Sequence, residues 1–435
     1  MDKSIVLVED TGAGTRYRLL ETIRQYAREK LLASGEVELI RARHLGFFRQ
    51  LARKAEPELR AIGQLAWIER LEAEHDNLRA ALKWSLHGQA VEAGLGIAGD
   101  LARFWYLRGY WREGRKWLSE LLAKPAPEPT PAGRAARAWA LCGAGWLANE
   151  EGGDIAWYAE ALDLYRALGD RWKTAYAARG LAAGVWARGR LEEAENPLAE
   201  SLALFQALDD PWGLGLAKLN LGWLAFSRND LAPAEQAWEA GLAHFRRAGD
   251  RWGIATTIGA LGYIMRLRGH YPRAASLTEE SLRLYRELGD KAGVAMSLLR
   301  LAGLAFRRGE FPQALDLATE AHTLARDRGD SGNALSALGL LGQLANVQGD
   351  FRQAERLLDE ALAECRTTDD TYSLSALLYH RGHTAYLQAQ LDSAETLYRE
   401  CLGQMPQFDD RLLAGLALTG LGAVARRRAD LVQAR

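Results

Sequence analysis

The sequence predicts an all-α solenoid of stacked helical hairpins preceded by a small β-hairpin, and three observations predict it. Acidic turn residues recur every 40 positions, at Asp170, Asp210, Asp250, Asp290, Asp330, Asp370 and Asp410. A second turn falls midway, at Gly189, Asn229, Gly269, Gly309, Gly349, Ala389 and Ala429. Between turns the apolar residues keep helical spacing: Val294, Leu298, Leu301, Leu304 and Ala305 before one middle turn, then Phe311, Leu315, Leu317, Ala318, Ala321 and Leu324 after it. Units of this size cannot bury their own apolar faces, so they must stack.

Residues 1–35 stand outside the rhythm. Residues 4–8 read as a strand, 9–14 as a tight loop and 16–20 as a returning strand, leading into a helix from Glu21 or Thr22. Residues 36–124 are helical with a weaker rhythm, the helix-spaced apolar residues falling in 41–54, 66–86 and 92–107. The stretch 103–122 aligns Gly109 with a middle turn and Gly114 with a packing alanine, as a degenerate hairpin at the end of a stack would. Residues 125–131, PAPEPTP, cannot form regular helix and read as a linker. The array occupies 125–435 as seven full units and a partial eighth.

Within a unit, Gly289 can take the left-handed conformation that ends a helix, and Asp290 can cap the N–H groups that open the next. Asp209, Asp369 and Asp409 replace that glycine, which Asp tolerates better than most residues. Pro272 and Pro312 lie just inside second helices, where a missing N–H costs nothing. Ala194, Ala234, Ala274, Ala314, Ala354, Ala394 and Ala434 recur four residues into each second helix, where helices touch. Leu221, Leu261, Leu301, Leu341 and Leu421, each followed by Gly or Ala, mark the facing contact.

Lys plus Arg (55) nearly cancels Asp plus Glu (56), so no overall field selects nucleic acid or an anionic membrane. No apolar run reaches a membrane span and no secretory signal opens the chain, which makes the cytoplasm the default location. Cys142, Cys365 and Cys401 occupy repeat packing positions and read as core residues.

Leu261-Gly262, Ala274, Thr278 and Ser281 resemble, in order and spacing, the tetratricopeptide repeat. The departure is the step, which in that family is about 34 residues. The resemblance implies a right-handed superhelix whose inner face is built by the first helices. A second resemblance lies at 16–27, RYRLLETIRQYA, with Asp2-Lys3-Ser4 ahead of it. It looks like the winged-helix segment joining the ATPase module to helical repeats in bacterial signal-transduction ATPases and large ATP-binding transcriptional regulators, similar to the maltose activator and antibiotic-regulatory proteins. That resemblance implies a sensor arm whose nucleotide module lies outside this chain. Gly12-Ala13-Gly14-Thr15 lacks the lysine of a phosphate loop and reads as a hairpin turn, and the opening within the winged domain and the end inside a hairpin suggest a fragment.

On the implied inner face, Trp223, Tyr263, Gln343 and His383 form one line, and Trp186, Phe226, Arg266, Phe306, Asn346 and Tyr386 the next. Aromatic and polar residues in this pattern suit a protein or peptide partner, with a small-molecule inducer as the other ligand class. Trp172, Trp212 and Trp252 share one offset, which favours packing over a ligand cage. His380 and His383 lack a third metal ligand at helical spacing, so neither metal nor other cofactor is expected. Glu192-Glu193 and Glu279-Glu280 read as solvated faces, Arg328-Gly329-Asp330 as a repeat turn, and Arg426-Arg427-Arg428 as a helix end complementing the dipole. No catalytic constellation has supporting context, and DNA binding would need a basic face that composition does not reveal. The chain reads as a non-catalytic sensor and regulatory region, with a free-standing adaptor that scaffolds protein partners as the alternative.

Overall fold

The computed structural model describes residues 6–11, 14–86, 90–125, 130–148, 155–367, 371–404 and 411–433. Strands β1 (Val6–Thr11) and β2 (Gly14–Leu19) pair antiparallel, in register from Val6↔Leu19 to Thr11↔Gly14. Glu9, Asp10 and Thr11, read from sequence as loop, belong to β1, because two residues suffice to connect a hairpin and its ladder can run to the tip. Helix α1 (Glu21–Ser34) follows and ends at Gly35, whose φ of 75° is the left-handed cap.

Helices α2 (Val37–Glu58), α3 (Gln64–Ala73) and α4 (His75–Ser85) come next. The single helix expected over 66–86 is therefore two, broken at Glu74. There the Glu74 carboxylate accepts from Asn77 Nδ2 at 2.6 Å, and His75 turns inward, its ring 4.5 Å from Tyr110 and 5.4 Å from Phe104. Helices α5 (Val91–Arg108) and α6 (Trp111–Leu122) form the irregular hairpin, turning at Gly109 (φ 76°). A Cβ on Gly114 would lie 2.6 Å from both Trp105 and Leu147, so glycine there lets α6 close on its neighbours.

Paired helices then repeat: α7 (Pro131–Ala148) with α8 (Ile155–Leu168), α9 (Arg171–Ala187) with α10 (Leu191–Ala207), and α11 (Pro211–Ser227) with α12 (Leu231–Ala248). They continue as α13 (Arg251–Leu267) with α14 (Tyr271–Leu288), α15 (Lys291–Arg307) with α16 (Phe311–Arg328), and α17 (Ser331–Val347) with α18 (Phe351–Cys365). Last come α19 (Thr371–Leu387), α20 (Leu391–Gln404) and α21 (Arg411–Gln433). Two compact units divide this series, Met1–Gly253 and Ile254–Arg435. Beyond the N-terminal hairpin the described residues are helical, in the manner of tetratricopeptide solenoids.

The turn chemistry accounts for the pairing. Left-handed φ values fall at the predicted positions, including Gly189, Gly269, Gly309 and Gly349 in the middle turns and Gly169, Gly249, Gly289 and Gly329 between units. Asp209 (48°), Asn229 (62°) and Ala389 (62°) adopt the same region with a side chain in place. Carboxylates of Asp170, Asp210, Asp290 and Asp330 accept backbone N–H groups of the following turn at 2.8–3.1 Å. The repeating alanines from Ala194 to Ala394 are at most 1% exposed. A Cβ on Gly222 would come within 2.2 Å of Trp238 Nε1, and one on Gly342 within 2.7 Å of Leu358. Turn positions Asp369, Asp370, Asp409 and Asp410 and packing residue Ala434 lie outside the described residues.

The expected turn at Ala429 does not occur, since α21 runs on through it to Gln433. Ala389 takes its strained conformation because α20 folds back onto α19 in a core of Ala385, Leu391, Ala394 and Tyr398. At Ala429 the helical conformation is simply cheaper. Arg426, Arg427 and Arg428 are accordingly not a helix end. Arg427 lies over the Tyr386 ring and Arg428 pairs with Asp392 and Glu395, so the run ties α21 to the preceding hairpin. All three cysteines are buried, and burial pushes the Cys142 thiol up to about 12. No described helix is long and apolar enough to cross a membrane.

Candidate binding face of the first helices

In the first unit, α9 and α11 carry Trp186, Trp223 and Phe226, and the fold brings the three together. Trp186 and Trp223 have ring centroids 6.1 Å apart, and Trp223 meets Phe226 edge-on at 6.0 Å. The indole N–H of Trp186 donates to Ser227 Oγ at 2.8 Å, which fixes its orientation. Beneath them lies fully buried Trp238 of α12, 4.9 Å from Trp223, its own N–H donating to the Leu219 carbonyl at 3.1 Å. The three predicted rings stay half-buried, and Trp238, on a second helix, is the support that inner-face spacing did not include. Beside Trp186 is a shallow recess of about 200 Å³, part of it open to solvent, lined by Ala182, Ala183, Ala194, Leu198, Asn220 and Leu224.

In the second unit the predicted residues divide. Arg266 places its guanidinium 4.5 Å from the Tyr263 ring centroid, an open cation–π pair. Phe306 and Tyr386 are committed in part to packing: Phe306 against Phe311 at 5.7 Å, and Tyr386 against Leu391 and Val424. Asn346 donates to Thr384 Oγ1 at 2.9 Å, bridging α17 to α19, while its Oδ1 is buried with no hydrogen-bond partner. Gln343 makes a long 3.4 Å bond back to the Gly339 carbonyl. His383 is exposed and stacks on Tyr379 at 6.5 Å. Burial, reinforced by the neighbouring His383 charge, holds His380 down to about 4, so its imidazole is neutral at pH 7. The described residues contain no cluster of three or more His, Cys, Asp or Glu able to hold a metal ion.

The fold also assembles a second group in the first unit that spacing alone could not indicate. Asp250, fully buried, accepts from Arg103 Nη2 at 2.6 Å, Gln64 Nε2 at 2.8 Å and Trp212 Nε1 at 2.8 Å. Arg103 also donates to the Leu59 carbonyl at 2.9 Å, and its guanidinium lies 5.3 Å from Trp212 and 5.2 Å from Trp252. Arg60 sits 4.3 Å from Trp172 and 5.0 Å from Trp212. The tryptophans two residues after each turn Asp therefore do pack, and they also reach across one repeat, since Trp172 donates to Asp210 as Trp212 does to Asp250. Asp250 looks like any turn aspartate in the sequence, but its carboxylate bonds Gln64 at the start of α3 and Arg103 of helix α5. Nearby, Trp139 Nε1 donates to Asp100 at 2.8 Å. Burial foremost, with the Glu56 charge, still raises the Asp100 carboxyl to about 7, against the lowering effect of that bond.

Residues 293–366 match the tetratricopeptide repeat family. Over 204 residues the chain is 36% identical to proteins of Mycobacterium bovis and Mycobacterium tuberculosis named as HTH-type transcriptional regulators, the match covering 45% of this chain. The chain spans about a quarter of the length of these curated relatives, 23% by aligned residues. Among solved structures it resembles a Signal Transduction ATPase with Numerous Domains carrying a tetratricopeptide repeat sensor, from Pyrococcus horikoshii. The TM-score is 0.54 at 16% identity, covering 95% of this chain and 59% of that one. It also resembles a Rap protein complexed with Competence and Sporulation Factor, with a TM-score of 0.54 at 13% identity over 86% of this chain and 99% of that one. These likenesses establish a fold of the tetratricopeptide kind.

Proposed function

We propose that this chain is the binding and sensing arm of a nucleotide-switched transcriptional regulator or signalling ATPase, recognising a protein or peptide, or a small-molecule inducer, on the face of its first helices. In this reading residues 1–35 are the remnant of a winged helix, 36–124 an irregular helical region and 125–435 a right-handed tetratricopeptide superhelix. Chemistry belongs to a nucleotide module elsewhere, and the arm works in the cytoplasm.

The observation that carries the reading is the half-buried row Trp186, Trp223 and Phe226 beside an apolar recess. Rings held by packing and hydrogen bonds but left partly open are poised to bury further area on a ligand at little entropic cost. Supporting it, the mycobacterial relatives are named as transcriptional regulators, the Pyrococcus protein is a signal transduction ATPase with a tetratricopeptide repeat sensor, and the Rap protein is complexed with Competence and Sporulation Factor. The test is selection of phage-displayed random peptides on the immobilised chain. Enriched peptides should bind the chain and lose about tenfold or more in affinity against the Trp223→Ala/Phe226→Ala variant. Unchanged affinity in a variant of unchanged circular dichroism ends the assignment.

A further inference from the structure

One cation inside the first unit has no counter-charge. Arg179 of α9 is 3% exposed. Its guanidinium lies 4.9 Å from the Trp146 ring and 5.1 Å from the Tyr176 ring, and its Nε and Nη2 have no hydrogen-bond partner. Among the described residues no Asp or Glu forms an ion pair with it. The other arginines of this aromatic cluster are answered: Arg103 pairs with Asp250 at 2.6 Å and Arg60 with Glu56 at 3.2 Å. Arg103 also approaches the Trp146 ring, at 6.0 Å, so Arg179 is the second guanidinium on that indole and the one left charged.

The polar groups packed around Arg179 are unpartnered too, and each of them can donate. The indole N–H of Trp146, the hydroxyl of Tyr158 and the hydroxyl of Ser201 are buried without a hydrogen bond. Tyr158 of α8 lies against the backbone of α9, where a Cβ on Gly180 would overlap its ring. Burial pushes the Tyr158 hydroxyl well above its ordinary pKa, and the Arg179 charge pulls it back. Ser201 of α10 is placed by the repeat. Two 40-residue steps on, a Cβ at Gly259, the counterpart of Arg179, would lie 3.0 Å from the Oγ of Ser281, the counterpart of Ser201. Ser281 donates to the Ala255 carbonyl at 2.8 Å, a bond that Ser201 does not make, so its proton is left for another acceptor.

Donors from four helices therefore converge on one uncompensated charge, with no acceptor among them but two hydroxyl oxygens. Water would satisfy the hydrogen bonds and leave the charge; an anion answers both. We propose that Arg179, Trp146, Tyr158 and Ser201 form an internal site for a small monovalent inorganic anion of chloride size, held between the α7–α8 and α9–α10 hairpins. Tight packing favours a single small ion, since Tyr158 also presses on Gly145, where a Cβ would meet its ring at 2.5 Å. Entry is by the recess beside Trp186. Ala182 and Ala183, one helical turn beyond Arg179, line it, and Asn220 of the same lining donates to the Arg179 carbonyl at 3.4 Å. The site lies within the packing and is independent of any guest on the face of the first helices. Its consequence is that stability of the first unit depends on which anion is present as well as on ionic strength.

The test is urea unfolding followed by indole emission, with chloride replacing gluconate at constant ionic strength. The folded-to-unfolded ratio of the parent should rise saturably, by about tenfold once chloride exceeds its dissociation constant about tenfold. Arg179→Met, which keeps the apolar stem and removes the charge, should show no such rise. Should that variant not fold, Trp146→Phe/Ser201→Ala, which removes two donors and leaves the charge, should need about tenfold more chloride for the same effect. On the parent itself, the chlorine NMR line of dilute chloride should broaden with added protein and narrow again with excess bromide. A midpoint indifferent to chloride means that water alone fills the place and overturns the proposal. An equal rise in folded Arg179→Met marks a general salt effect and overturns it as well, as does an unchanged titration in the double variant or an unbroadened chlorine line.

Discussion

Arg103 and Asp250 are 147 positions apart in the chain, yet they meet at 2.6 Å with side chains 10% and 0% exposed. A buried ion pair contributes little over an apolar pair of equal volume, but removing one partner leaves the other charge uncompensated. Asp250→Ala should therefore destabilise the first unit by about 3–5 kcal/mol in urea denaturation. Arg103→Met combined with Asp250→Leu should recover most of that loss, and additive losses would show that the charges matter separately. Asp100 gives a pH test. Its carboxyl is raised from the ordinary 3.8 to about 7, so between those values the folded chain holds a proton that the unfolded chain has released. Stability from this group is thus fully present below about pH 4 and is lost as pH rises toward 7, a loss on the order of 4 kcal/mol at about 1.4 kcal/mol per unit. Asp100→Asn should flatten that slope in denaturation curves at pH 5 and 7.

At the scale of elements, each helix pair from α9–α10 to α19–α20 turns at one left-handed residue. Ala389 does so at φ 62° without glycine's freedom, because α19 and α20 bury a shared core on either side of it. Ala389→Gly should raise stability by about 1 kcal/mol, read as a higher melting temperature in far-ultraviolet circular dichroism, whereas a fall would mean the turn carries no strain. Most helix ends, caps and packing alanines were legible in the sequence because they rest on local rules: 40-residue spacing, Gly-Asp punctuation and 3.6-residue periodicity. The exceptions share a cause. The break at Glu74 and the continuation through Ala429 were decided by what lay beside the chain, His75 having a pocket to fill and Ala429 having no such demand on it.

At the scale of the molecule, all 14 tryptophans fall at or before Trp252, within the first unit. Indole emission therefore reports on Met1–Gly253 alone, while circular dichroism reports on both units. Asp250→Ala should shift the emission transition, and Ala389→Gly should leave it in place. The candidate face was legible only in outline. Trp186, Trp223 and Phe226 could be aligned by counting, but Trp238 beneath them and Arg300 beside Tyr263 could not, because their side chains reach across from other helices.

By itself the sequence determined the repeat, most of its turns and its packing alanines, since each is a property of neighbours along one chain. Only the tertiary structure decided which ring stays open, which arginine is answered by a carboxylate and where Asp250 spends its lone pairs. Those outcomes depend on distances between residues that the chain brings together only by folding, and desolvation makes each such contact count for more than any local preference.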